Sequence, residues 1–173
     1  MKATLFAHLG AIMLAALAVW AMRQEVTAKA APRRAWAIAP VAALLVAVIL
    51  LVVSPGKRFE LWAAAIVGGV ALGAAAGMLL KVNQDFGHKL IRVAPAWDGM
   101  GAAAALLLLA VARFVSSDLM TRRSGKFGVL AAAATFLAVY IGVRYLVMRF
   151  HKAPNAMHLD MSPGQDPGRT LVH

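Results

Sequence analysis

The residues of this chain that could do chemistry are few, and their types narrow the choice at once. There is no cysteine, which removes disulfides, thiolate nucleophiles and cysteine-ligated metals. Five histidines remain. Haem held between membrane helices needs histidines facing one another at depth. Only His8 falls inside an expected helix, less than two turns from its start, while His88 falls in a loop on the opposite side, so the reading is no cofactor. Near the C-terminus, His151, Met157, His158 and Met161 form a Met-His-x-x-Met pattern whose thioether and imidazole groups suit Cu(I). They are the candidate metal ligands, set against a plain tail in which they are incidental.

A second candidate is electrostatic. Asp98 opens one apolar run and Arg144 lies about one turn from the end of another. With five spans, both come to the same membrane face. A charge in the bilayer interior costs about 2.5–3.5 kcal/mol on insertion scales. Asp98 gains from the positive end of its helix, and Arg144 needs a counter-charge, for which Asp98 is the one acidic residue expected at that level. Asp98 and Arg144 are therefore the candidate ion pair. P-loops, zinc-hydrolase motifs and paired intramembrane carboxylates are missing from the pattern. Gly99-x-Gly101 opens a helix but is expected to follow no strand, so it is no nucleotide fingerprint. No catalytic residue and no enzyme are expected.

The elements that must position these groups are apolar. The 173 residues are 62% hydrophobic and 14% charged, and mean hydropathy is +0.75, the composition of an all-α membrane protein. Apolar runs cover about 3–22, 35–53, 61–80, 97–115 and 129–148, each close to the roughly 20 residues that cross a 30 Å hydrocarbon core. The first could be a signal peptide, since Ala16-Leu17-Ala18 is a small-x-small triplet. The run continues past it to Trp20 and Arg23, so a retained helix is expected. Trp20, Trp36, Trp62 and Trp97 each fall near a span end, as an interfacial belt would.

The third run carries Ala65, Gly69, Gly73 and Gly77, four residues apart and hence on one helix face. In water each such glycine costs about 1 kcal/mol relative to alanine. In lipid, small residues let a second backbone come close, so this face is expected to be a helix-packing groove. Ser54-Pro55-Gly56 stops the second run, and so short a turn is expected to make the second and third runs an antiparallel hairpin. Lys81 to Pro95, centred on Asp85-Phe86-Gly87-His88, reads as a turn between two short extended pieces. Asp85, His88, Lys89 and Arg92 are its candidate interaction residues. Residues 151–173 are too polar to fold alone and are expected to be a flexible tail.

The net charge of +11 would suggest nucleic acid in a soluble protein. Here the basic residues flank apolar runs, where they set topology and meet lipid head groups, so no nucleic-acid partner is expected. Eleven Lys and Arg residues fall on the face after the first and third runs and in the tail, against seven on the other. The bias predicts an outside N-terminus and a cytoplasmic C-terminus. Ala- and Arg-rich usage and the lack of a transit-peptide pattern fit a bacterial inner membrane.

The glycine-rich third run, the basic loop around Asp85-Phe86-Gly87 and the stretch from Trp97 to Arg113-Phe114 together resemble the small bacterial CcdC-like membrane proteins. The resemblance covers about Gly68 to Phe114 and implies an association with cytochrome c biogenesis; this chain has no cysteine pair or haem motif for a direct redox role. The expected function is a non-enzymatic accessory or assembly protein that packs against partner membrane proteins or itself. The alternative is a small transporter or channel component working as an oligomer, although span centres without charge and the lack of an internal repeat argue against a pathway within one copy. No small-molecule substrate can be named.

Overall fold

The computed structural model describes residues 2–53, 59–85, 90–119 and 127–150. Among them five helices are long and apolar enough to cross a membrane: Thr4–Val26, Arg34–Val53, Phe59–Leu79, Asp98–Ser116 and Gly128–Phe150. Their mean hydropathies of 1.8 to 2.9, with Met13, Val67 and Leu108 about 70% exposed on their outer sides, make this a multi-pass membrane protein. The side chains that face outward are those that lipid, and not water, would accept.

The elements are α1 (Lys2–Val26), β1 (Ala31–Pro32), α2 (Arg33–Trp36), α3 (Ile38–Val53), α4 (Phe59–Leu79), β2 (Val82–Asp85), β3 (Leu90–Val93), α5 (Asp98–Leu119) and α6 (Phe127–Phe150). Helix α1 packs on α3 and α5, and α6 packs on the other side of the same two. These four form the core bundle. Its interior is largely alanine, with Ala11, Ala15 and Ala18 of α1, Ala43 of α3, Ala103 of α5 and Ala134 and Ala138 of α6, and Val46, Leu50, Leu106 and Ile141 fill the space between them. Alanine at these spacings keeps each buried stripe shallow, so the backbones approach as membrane packing requires.

Helix α4 lies outside this ring and rests on α6. Its buried residues are Ala65, Gly69, Gly73 and Gly77. A Cβ added at Gly69 would lie 2.8 Å from the carbonyl oxygen of Phe136, one at Gly73 2.7 Å from that of Tyr140, and one at Gly77 2.7 Å from Val147 Cβ. Only hydrogen fits at these three places.

Between α4 and α5, Val82–Asp85 and Leu90–Val93 are strands, the two extended pieces expected there. Strands β2 and β3 form an antiparallel hairpin, pairing Val82 with Val93 and Asp85 with Leu90. β1 adds to the other edge of β3, pairing Ala31 with Ile91, so the sheet order is β1-β3-β2. An otherwise helical protein thus carries a three-stranded sheet on the end of the bundle. Ile91 and Val93 alternate inward with Val82 and bury against Met148 of α6 and Trp36. Trp36, expected in the interfacial belt, is only 7% exposed and donates its indole N–H to the Ile91 carbonyl at 3.3 Å. Trp20 and Trp97 do face outward.

Helix α1 also runs farther than its apolar stretch. It ends in a paired closure: Ala28 N–H donates to Glu25 O at 3.2 Å and Lys29 N–H to Gln24 O at 3.3 Å, with Ala28 in the left-handed region at φ 49°. This is the hydrogen-bond pattern of a Schellman cap with alanine where glycine usually stands. It aims the Ala28 carbonyl at β3, where Arg92 Nε donates to it at 3.1 Å.

Candidate functional site

Beneath the sheet, four polar side chains from three helices converge. Helix α1 continues its buried stripe Ala11-Ala15-Ala18-Met22 by one more turn, and that turn brings Glu25 inward with no exposure at all. Helix α5 begins with Asp98. Helix α6 supplies Tyr140 and Arg144, four residues apart and so stacked on one face.

Arg144, 4% exposed, is the hub. Its Nε donates to Asp98 Oδ2 at 2.8 Å, one terminal nitrogen donates to Glu25 Oε2 at 2.9 Å, and the other donates to Asp98 Oδ1 at 2.9 Å and to Glu25 Oε1. Tyr140 completes the set by donating its hydroxyl to Asp98 Oδ2 at 2.9 Å. A planar guanidinium suits two carboxylates because its N–H groups form a fixed fork on each edge. Both carboxylates are thereby held two-handed, one on each side of the same cation.

The two acids differ in what else supports them. Asp98 opens its helix, where the positive end of the dipole favours a carboxylate, and its side chain keeps 42% of its exposure. Glu25 has neither advantage. It lies in the last turn of α1, at the negative end of the dipole, and is fully buried. Arg144 is its charge partner. Removing that guanidinium would leave Glu25 with its full desolvation cost.

Gly99 makes room for this arrangement. A Cβ there would sit 2.6 Å from Glu25 Oε2, 2.9 Å from the Arg144 guanidinium and 3.3 Å from Met22 sulfur. A side chain at this position would occupy the space of the ion pair. Gly101, two residues on, has nothing within 4 Å of its Cβ position. The Gly99-x-Gly101 pattern does follow a strand, β3, contrary to expectation, but its first glycine serves a side-chain cluster and not a phosphate.

The glycine face of α4 holds the same helix from behind. A Cβ at Gly73 would meet the backbone of Tyr140, and one at Gly77 would lie 3.0 Å from the Arg144 carbonyl. The helix-packing residues and the ion-pair residues of the sequence reading thus converge on one turn of α6.

The sequence places Asp98 alone among acidic residues at the level of Arg144; the extra turn of α1 corrects this by bringing Glu25, beyond the apolar run, to the same level. The signal was there in the stripe, since Glu25 lies three residues after Met22 and seven after Ala18. A criterion built on apolar runs stops at Arg23 and cannot see it. Of the expected interaction residues, Arg92 is tied to Ala28 and Asp85 closes β2; His88 and Lys89 lie outside the described residues, as do His151, Met157, His158 and Met161. At the other end of the bundle, His8 is buried and donates Nδ1–H to the Thr4 carbonyl at 2.7 Å, with its ring 6.4 Å from that of Phe114.

No family model, curated protein or solved structure matches this chain.

Proposed function

We propose that this protein is a non-enzymatic accessory or assembly factor of the bacterial inner membrane that packs against partner membrane proteins. The observation that carries the reading is the closed pairing of Arg144. Its donors are taken up by Glu25 and Asp98, so the cluster works as a joint between α1, α5 and α6 and does not present an open cation to a substrate. Such a joint fixes the end of the bundle on which the sheet rests, and a fixed small surface is what a partner-binding protein needs. We take the segment that joins β2 to β3, with Asp85, His88 and Lys89, as the partner-facing element. In this reading the sheet is cytoplasmic and the N-terminus outside, in keeping with the basic-residue bias, and the CcdC-like resemblance points to the cytochrome c biogenesis machinery as the place to look for the partner.

A second reading, a transporter or channel component acting as an oligomer, draws on one feature. Asp98 keeps part of its carboxylate exposed beside a buried Glu25, and intramembrane carboxylates commonly serve ion or proton pathways. Affinity purification of the tagged protein in mild detergent separates the two. Co-purification of a distinct membrane protein in fixed ratio supports the accessory reading. A homo-oligomeric ring with no other subunit overturns it in favour of the second.

A further inference from the structure

Helices α1 and α3 are drawn close by their alanines, and beside that contact longer side chains stand up as walls. Leu14 and Leu17 of α1 face Val41 and Leu45 of α3 across a floor that includes Ala42, leaving an outward-facing groove of about 300 Å³. Its lining is almost wholly apolar, and Arg34, which begins the span, is the one charged residue among those that line it. Val41 and Leu45 are about half exposed, while Ala42 at the floor is 3% exposed, so the groove opens sideways, toward where lipid would lie.

Two features say what fits there. From Arg34 to Leu45 is eleven helical steps of 1.5 Å, roughly 16 Å, close to the roughly 15 Å depth of one leaflet of a 30 Å hydrocarbon core. Arg34 begins the second candidate span and is exposed, and among the described residues it has no carboxylate partner. An exposed guanidinium at the interface end of a one-leaflet apolar slot matches a phosphate with an acyl chain below it, since Arg binds phosphate through paired N–H donors. We propose that the α1–α3 groove is a binding site for one anionic phospholipid, its acyl chain lying between Leu14, Leu17, Val41 and Leu45 and its phosphate on Arg34. The site is separate from the Arg144 cluster and does not depend on the accessory reading.

Native mass spectrometry of the full chain, released from neutral detergent and titrated with phosphatidylglycerol or phosphatidylcholine, tests it. The expected result is one tightly retained phosphatidylglycerol, preferred at least fivefold over phosphatidylcholine. Arg34→Gln should remove that preference, Val41→Trp should fill the slot and weaken both lipids at least tenfold, and Arg149→Gln, an exposed arginine on α6, should change nothing. Equal retention of the two lipids by the natural chain, or equal losses from Arg34→Gln and Arg149→Gln, overturns the proposal. A measurement on the unaltered chain guards against variants that fail to fold. Phosphatidylglycerol with a photoactivatable acyl chain, irradiated in vesicles, should label α1 and α3 at the groove residues. Labels spread evenly over the outer faces of α4 and α6 would show ordinary lipid contact and sink the site.

Discussion

Arg144 and Glu25 stand 119 positions apart in the chain and meet inside the bundle, with a guanidinium nitrogen 2.9 Å from Glu25 Oε2. Breaking a buried pair by removing one partner costs about 3–5 kcal/mol, because the other charge is left desolvated. Glu25→Gln and Arg144→Gln should therefore each destabilise strongly in detergent unfolding, with Arg144→Gln the worse because it strands two carboxylates. Asp98→Asn should cost less, about 1 kcal/mol, since its side chain is 42% exposed and exposed pairs are worth about 0–1 kcal/mol. In double-mutant cycles, both Glu25 with Arg144 and Asp98 with Arg144 should show non-additive losses. Strict additivity in either cycle would mean that those two charges do not meet.

Gly99 and Gly101 give a contrast two residues apart on one helix. Gly99→Ala places a methyl group 2.6 Å from Glu25 Oε2, so either the ion pair or the helix must move. Overpacking of this kind costs about 1–3 kcal/mol. Gly101→Ala meets nothing within 4 Å and gains helix propensity of up to about 1 kcal/mol. Thermal unfolding in detergent should thus shift downward for the first and be level or upward for the second. The opposite order would mean that Gly99 does not face Glu25.

How much of this was legible beforehand depends on which physical signal each feature leaves. Lipid-spanning helices leave a long one, so all five runs were readable, and so was the glycine groove, because four-residue spacing is the helix period itself. Asp98 and Arg144 could be set at one level by counting turns. Glu25 could not be found by hydropathy, because its carboxylate is buried by pairing and not by being apolar. The sheet was half readable: the turn residues from Asp85 to His88 suggested two extended pieces, but β1 is two residues long and no local pattern announces a third strand. Trp36 looked like a belt residue because span ends and sheet contacts fall at the same depth.

The glycine groove itself predicts a steep position dependence. Gly73→Leu must displace the Tyr140 backbone, whose carbonyl is 2.7 Å from the Cβ position. Val70→Leu, on an exposed part of α4, displaces nothing. A loss of several degrees in melting temperature is expected for the first and none for the second. Because Tyr140 and Arg144 ride on the same turn, Gly73→Leu should also weaken the coupling between Asp98 and Arg144 in the cycle above. Equal melting temperatures for the two variants would remove the packing claim.

Orientation can be read with single cysteines, since the chain has none of its own. The basic-residue bias leads us to expect that Thr170→Cys resists an impermeant thiol reagent in intact cells while Ser124→Cys is labelled. The reverse pattern would put the sheet and the Arg144 cluster at the outer face and require the partner to be sought there.

Ala28 offers a test in the stabilising direction. Its φ of 49° puts a methyl-bearing residue in the left-handed region, at a cost of about 1–2 kcal/mol. The cap needs that conformation, because both closing bonds, from Ala28 to Glu25 and from Lys29 to Gln24, depend on the chain reversing there. Glycine adopts it without the steric term, though it gives the unfolded chain more freedom, worth about 0.4–1 kcal/mol in the other direction. The balance favours Ala28→Gly by up to about 1 kcal/mol. Pro at the same position removes the N–H that closes on Glu25 and cannot reach a positive φ, so Ala28→Pro should unwind the last turn of α1. That turn is what buries Glu25, and the Ala28 carbonyl is what Arg92 holds. Ala28→Pro should therefore destabilise like Glu25→Gln, by about 3 kcal/mol, and combining the two should cost little more than either alone. Fully additive losses would show that the cap and the buried glutamate act independently.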